Sequence, residues 1–273
     1  MPERVYHYTS LDALRGILGK TICLWATRYD HLNDPHEQIW AESVISSLAQ
    51  QSPYKDSLTE SNYEQWFAKY SYILSLCKKA DYRNMWRLYC NDGRGFALGF
   101  DAGLLSEISK DNSLKDPQHC YDVFEEIQYT TKDEVKSAID YWKQKGIFNR
   151  NINEPFDELM YLRAFIKDKD FDIEKEIRYA RIRENAEVII SPIAEDDGGV
   201  GFDFHPDNYN VKYRMRGDEV VPYIELRFPA CTLKSITIGY GYRYADMKPL
   251  IYNLLAEYGD LYKEVQLLAS NLY

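Results

Sequence analysis

The order of elements along the chain predicts an α+β fold, a mixed sheet core with flanking helices. Three observations carry that prediction. Short runs such as the alternating Arg4–Thr9, and residues 96–100 entered through the turn at Gly93 and Gly95, read as strands. Helical spacings of apolar residues separate them at irregular intervals, with no internal repeat. The C-terminal end reads strand, helix, strand, which implies a parallel pair joined by a right-handed crossover. At 273 residues the chain suits one domain spanning 1–273. A sub-boundary is placed near 192–208, where DDGGVG at 196–201 is the strongest loop signal.

In order, Arg4–Thr9 alternates as a strand, and Ser10 is a good cap for a helix carrying Leu11, Leu14, Ile17 and Leu18, closed by Gly19. A second strand covers 22–27. The polar turn RYDHLNDP at 28–35 leads into a helix with Ile39, Trp40, Val44, Ile45 and Leu48 on one side. Residues 61–69 read as helix and the apolar run 72–77 as a buried strand. Asp81 can cap a short helix carrying Met85, Trp86 and Tyr89, and Gly93 and Gly95 turn the chain into strand 96–100. Residues 123–129 form a strand, 132–145 and 154–167 helices, and 173–183 an alternating strand. Residues 209–215 and 220–228 form a hairpin about Arg216-Gly217-Asp218. The terminal unit is strand Leu233–Ile238, helix 246–258 ended by Gly259, and strand 262–268.

Composition narrows the function classes. Apolar residues make up 45% and charged residues 28%, ordinary for a folded domain. No run of about 18 apolar residues occurs, so no membrane span is expected. MPERVYHYTS carries neither a basic leader nor an apolar run, so no secretory signal is expected and the location is taken as cytoplasmic. Cys23, Cys77, Cys90, Cys120 and Cys231 are odd in number and widely spaced, which fits buried thiols in a reducing compartment. A net charge of −10 argues against strong nonspecific nucleic-acid binding.

Three constellations carry possible chemistry. His7, within Tyr6-His7-Tyr8-Thr9-Ser10, ends a strand just before a helix N-terminus, where N–H groups favour phosphate and an imidazole can bond a ribose hydroxyl. The plainer alternative is a core histidine bonded to backbone. Glu174, Glu176 and Arg178 alternate on the strand at 173–183 and so share a face. Two carboxylates so close repel, which raises at least one pKa in a sheltered site, while Arg178 can hold one ionised through a bidentate bond. The plainer alternative is a solvated strand face. His31, Asp34, His36 and Glu37 could be metal ligands, but Pro35 interrupts them and a turn that caps the next helix is the simpler reading, so no metal is expected. Gly93, Gly95 and Gly99 are in the wrong order for a dinucleotide fingerprint, because they follow a helix and open a strand.

Together these segments resemble the bacterial family labelled domain of unknown function 2971. The resemblance runs through Tyr6–Ser10, Leu24-Trp25, Leu32-Asn33-Asp34-Pro35 with Glu37, Ser75-Leu76-Cys77, Met85-Trp86 with Tyr89, Gly95–Phe100, Glu174–Arg178 and the terminal strand–helix–strand. The tyrosine-histidine strand, the second strand and the late Glu-x-Glu strand are also similar to the ADP-ribosyltransferase superfamily. That similarity implies a split sheet and cleavage of NAD as substrate, with transfer of ADP-ribose to an unknown macromolecular or small-molecule acceptor, or hydrolysis, in bacterial defence or as a toxin.

Carried over by residue, the similarity makes His7 the ribose-binding histidine with Thr9 beside it, Glu176 the catalytic glutamate and Glu174 its partner. Tyr29 is assigned to stack on nicotinamide, with Tyr8 and Trp25 as alternatives, and Arg178 joins the ligand-holding group. The pyrophosphate partner is sought among Arg28, Arg87 and Arg94. Breaking the nicotinamide–ribose bond develops an oxocarbenium-like sugar, which a fixed carboxylate stabilises. The alternatives are an inactive nucleotide-binding module on the same fold and a metal-dependent nuclease using the His31–Glu37 stretch.

Overall fold

In the computed structural model of the chain, residues 2–50, 71–111, 120–135, 137, 144, 163–183, 190–194, 200–204 and 211–272 are described. The expected helix at 61–69, most of those at 132–145 and 154–167, and the loop at 195–199 lie outside them. Strand β1 (Arg4–Thr9) runs into helix α1 (Leu11–Ile17), whose cap is Ser10: its hydroxyl accepts from the Ala13 N–H at 3.3 Å. Strand β2 (Thr21–Arg28), a single 3-10 turn at Tyr29–His31 and helix α2 (Pro35–Gln50) follow. After β3 (Ser71–Cys77) come α3 (Arg83–Tyr89), β4 (Phe96–Asp101) and α4 (Ala102–Lys110). Then come β5 (Cys120–Glu126), β6 (Gln128–Thr130), β7 (Ile166–Asp168), β8 (Glu176–Arg183), β9 (Ile190–Ala194) and β10 (Val200–Phe204). The hairpin β11 (Lys212–Arg216) and β12 (Glu219–Pro229) turns through Gly217 at φ 62, a left-handed position that glycine takes without strain. The chain closes with β13 (Leu233–Ile238), α5 (Tyr244–Ala256) and β14 (Gln266–Ala269), and β13 and β14 pair in parallel as expected of a β-α-β unit.

Among the described residues, ten strands form one mixed sheet, with β9–β10 and β6–β7 as separate pairs. Its organisation turns on β3. Strand β8 pairs with β3 along its whole length, from Ser71↔Ile182 to Cys77↔Glu176, which occupies one edge. The other edge is shared by two strands: β2 holds it at Tyr72 and Ile73, and β1 at Cys77. A strand has only two edges, so β1 and β2 diverge here and leave Leu74, Ser75 and Leu76 between them. One arm, β11-β12-β2, continues from the first contact, and the other, β1-β4-β13-β14, from the second. Ser75 is the exposed member of an otherwise buried strand.

One face of the sheet carries the main core: Val5, Leu24, Leu74, Leu76, Phe96, Leu98, Phe100 and Ile236, packed by Leu14 and Ile17 of α1 and Ile251 and Leu255 of α5. A smaller cluster on the other face joins Tyr8 to Met85 and Trp86 of α3. Asp81, expected to cap α3, does not; it accepts bonds from Trp86 Nε1 at 2.6 Å, Ser270 Oγ at 2.7 Å and the Asn271 N–H at 2.7 Å, and so ties α3 to the C-terminal end. Cys77 and Cys90 are buried thiols, whereas Cys231 is exposed.

Several expectations are corrected. In α2 the buried stripe is Glu37, Ala41 and Val44, while Ile39 is 62% exposed. The strand expected at 123–129 breaks at Ile127 into β5 and β6. Ile166 and Lys167, read as the end of a helix, are strand β7, and β8 begins only at Glu176. Glu174 ends a 3-10 turn, Lys169–Glu174, and Lys175 follows it in the left-handed region at φ 50, ψ 46.

Candidate functional site

The split between β1 and β2 opens into a cleft of about 350 Å³, within the size of a small-ligand site. Both arms and β8 contribute to its walls. His7 comes from β1, Trp25 and Thr27 from β2, Ser75 from β3, Tyr89 from α3, Glu176 and Arg178 from β8, and Arg214 from β11. Glu174, Lys167 and Glu37 complete it.

His7 hydrogen-bonds the main chain of Ser75, on the stretch of β3 whose edge neither β1 nor β2 covers. Burial, with the Arg214 charge adding to it, pulls the imidazole down to about 4 against that bond, so it is neutral at pH 7. Both readings of His7 therefore meet: it is bonded to backbone and it lines the cleft.

The carboxylate wall is a closed ionic network. Arg178 grips Glu176 with Nε on Oε1 at 2.7 Å and Nη2 on Oε2 at 3.2 Å, donates Nη1 to the Ala164 carbonyl at 2.8 Å, and pairs with Glu37 at 2.6 Å. Lys167 Nζ lies 2.6 Å from Glu174, 3.1 Å from Glu37 and 3.4 Å from Glu176. Three carboxylates thus meet two cations. Glu37, Lys167, Glu176 and Arg178 are all buried, and such charges persist only when paired. Burial works against ionisation of Glu176, but Arg178, Lys167 and a bond from Ser75 outweigh it and hold the carboxyl at about 2. Burial raises Glu174 instead, against the pull of Lys167. The two carboxyls shift in opposite directions because burial dominates at Glu174 and the two cations dominate at Glu176. Glu174 reaches this wall although it has left the strand, because left-handed Lys175 swings the chain between them. That turn is held by Lys78 N–H on the Lys175 carbonyl at 2.9 Å and Lys175 Nζ on Asp172 at 2.7 Å.

Four of the residues assigned from sequence, His7, Glu174, Glu176 and Arg178, line this one cleft. Thr9 and Tyr29 do not: Thr9 is buried at 5% exposure, and Tyr29 at 2% lies in the core. Among the rings, Tyr6, Tyr8, Trp25 and Tyr89 line it. Tyr8 is committed elsewhere, with its hydroxyl donating to the Lys79 carbonyl at 2.8 Å and accepting from the Tyr82 N–H at 3.0 Å. Tyr89 is 43% exposed and feels the charges of Glu174 and Glu176. Arg28, Arg87 and Arg94 are not in the lining: Arg28 pairs with Asp30 at 2.7 Å and Arg87 lies 3.8 Å from Asp92. Arg214 and Lys167 were missed, and Glu37 was weighed only as a metal ligand. The one available signal was Arg214 alternating with Tyr213 and Met215 on an edge strand, which resembles a solvated face.

The His31–Glu37 stretch is used otherwise than as ligands. His31 pairs with Asp30 at 2.6 Å, Asp34 accepts from the His36 N–H at 2.9 Å as a turn opening α2, and Glu37 joins the ionic wall. Among the described residues no group of three or more His, Cys, Asp or Glu is arranged to hold a metal. Among them, too, no helix is long and apolar enough to cross a membrane.

A family model described as "Protein of unknown function (DUF2971)" matches residues 85–179, about a third of the chain. The match takes in Tyr89, Lys167, Glu174, Glu176 and Arg178 and leaves out His7, Trp25, Glu37 and Arg214. No curated protein and no solved structure matches the chain.

Proposed function

We propose that the chain cleaves the nicotinamide–ribose bond of NAD and passes ADP-ribose to an acceptor, a protein, a nucleic acid, a small molecule or water. The observation that carries this reading is the convergence of His7, Glu174 and Glu176 on the cleft at the sheet split, from segments some 170 positions apart. In this reading neutral His7 holds a ribose hydroxyl. Glu176 is the fixed negative charge that stabilises the sugar as positive charge develops on it, in a sheltered site where such stabilisation is strongest. Glu174, with its raised pKa, takes the proton from the incoming nucleophile, while nicotinamide leaves with the bonding electron pair. Tyr89, exposed beside the carboxylates, takes the stacking role first assigned to Tyr29. A role in bacterial defence or as a toxin belongs to the same proposal.

One observation favours a second reading, an inactive nucleotide-binding module. Both oxygens of Glu176 are already engaged by Arg178, and Lys167 offsets more of the charge. The two readings part in one assay. Purified full-length chain is given NAD labelled in the nicotinamide ring, and then in the adenylate with cell extract. The transferase reading expects nicotinamide release, with Glu176→Gln reducing it by roughly 10²–10³-fold. His7→Ala and Glu174→Gln should each lower it without abolishing the fold by circular dichroism. Saturable NAD binding without release establishes the second reading, and release that survives both Glu176→Gln and His7→Ala removes the first.

A further inference from the structure

The cleft has a second wall that the carboxylate chemistry does not use. Arg214 is half-buried there and, among the described residues, pairs with no carboxylate. Its Nη2 donates to Thr27 Oγ1 at 2.9 Å, and its guanidinium carbon lies 5.5 Å from the Trp25 ring centroid and 5.9 Å from that of Tyr223. The two rings lie 4.3 Å apart at 31°, and the guanidinium is within cation–π range of both. A guanidinium has five N–H donors, and a single hydrogen bond here leaves most of them to spare. Every other cation in the lining is saturated: Lys167 by three carboxylates, Arg178 by two. Burial and the adjacent Arg216 both weigh against the Arg214 charge, so an arriving anion would relieve an electrostatic cost already present. Beside it, Trp25 is 44% exposed and offers a flat apolar ring to the cleft, the kind of surface on which a base stacks.

We infer that Arg214 and Trp25 form the phosphate- and base-holding half of the cleft, so that the ligand is a nucleoside phosphate with its phosphoryl group on Arg214 and its base against Trp25. The choice of a nucleotide rests on the reading proposed above; the anion site itself rests on Arg214 alone. The cleft is then polar in a directional sense. An anionic group lies toward the β2 arm, and a centre that gains positive charge lies toward Glu174 and Glu176. A dinucleotide with a cationic ring at one end has that distribution of charge.

Calorimetric titration of the full-length chain with AMP and with adenosine tests the site at fixed low salt. The wild type should bind AMP at least tenfold more tightly than adenosine, and Arg214→Gln should abolish that preference, since charge-assisted bonds to a phosphate are of that size. Trp25→Ala should weaken both ligands together. A wild type with no preference, or a preference that survives Arg214→Gln, overturns the inference. Should Arg214→Gln not fold, the wild type decides: AMP affinity must fall as salt rises from low to about 0.5 M while adenosine affinity holds, and parallel behaviour of the two ligands overturns it. An Arg214-dependent preference without nicotinamide release removes the proposed activity and leaves this site standing. Release without the preference does the reverse.

Discussion

The two walls of the cleft differ in how their charges are satisfied. On the β8 side, Glu37, Glu174, Glu176, Lys167 and Arg178 form a buried network in which every charge has a partner within 3.4 Å. On the β11 side, Arg214 stands half-buried beside the Trp25–Tyr223 ring pair, with one hydroxyl bond among the described residues. The first arrangement holds the protein together and fixes side chains in place. The second leaves binding capacity unused. A saturated network resists change of either partner, whereas an unsaturated cation can lose its charge with little effect on the fold.

That contrast can be broken most directly by substituting an arginine on each wall. Arg178→Met leaves Lys167 alone to meet Glu37, Glu174 and Glu176 in the interior, and urea unfolding should show a loss of about 3–5 kcal/mol. Arg214→Met removes a ring contact and one hydroxyl bond, so the same experiment should show a loss of about 1 kcal/mol. Equal losses would erase the distinction between the walls.

A pH series sharpens it next, because His7 sits between the walls. Its folded pKa of about 4 lies below the unfolded value of about 6.5, so the unfolded chain binds the extra proton between them. The contribution of neutral His7 is complete above about pH 6.5 and is lost as pH falls toward 4, by up to about 3 kcal/mol. Glu176, held near 2, loses its contribution only below the usual glutamate range, from about pH 4.5 downward. Glu174, raised, runs the opposite way, its contribution falling as pH rises through its own range. Comparing wild type with His7→Asn isolates the first effect: the difference in unfolding free energy between pH 7 and pH 5 should shrink in the variant. An unchanged pH slope would place His7 outside the buried region.

The smallest effect concerns Lys175. A non-glycine residue in the left-handed region costs roughly 1 kcal/mol, and its pair with Asp172 is largely solvated. Lys175→Gly should therefore raise the thermal midpoint by a few degrees at most, while the added freedom between Glu174 and Glu176 lowers nicotinamide release. A gain in release would mean that the turn does not position the wall.

Much of the fold was legible because local patterns coincide with local structure. Period-two alternation marks β1, the Gly93 and Gly95 turn marks the start of β4, Ser10 and Gly217 mark a helix start and a hairpin turn, and the closing β-α-β unit follows from chain order. Where a single residue overrides the pattern, the reading fails. FDIEKEIRY alternates from Ile173 onward, yet the left-handed Lys175 removes Glu174 from the strand. Ile39 looks like a core residue of α2, but Glu37 takes the buried stripe because Arg178 and Lys167 are there to meet it. Tyr29 follows the second strand as a cleft ring would, but the 3-10 turn carries its side chain into the core.

By itself, the sequence determined the α+β class, the strands that carry His7 and Glu176, and the presence of a close carboxylate pair. Those depend on side-chain periodicity and on charges two residues from each other, which the order of residues contains. The tertiary structure alone decided that β1 and β2 share one edge of β3, that Glu37 and Lys167 join the carboxylates, and that Arg214 stands opposite with no carboxylate partner among the described residues. Each of these is a meeting of segments far apart in the chain, and such meetings are settled by sheet pairing and by the need of buried charges for partners.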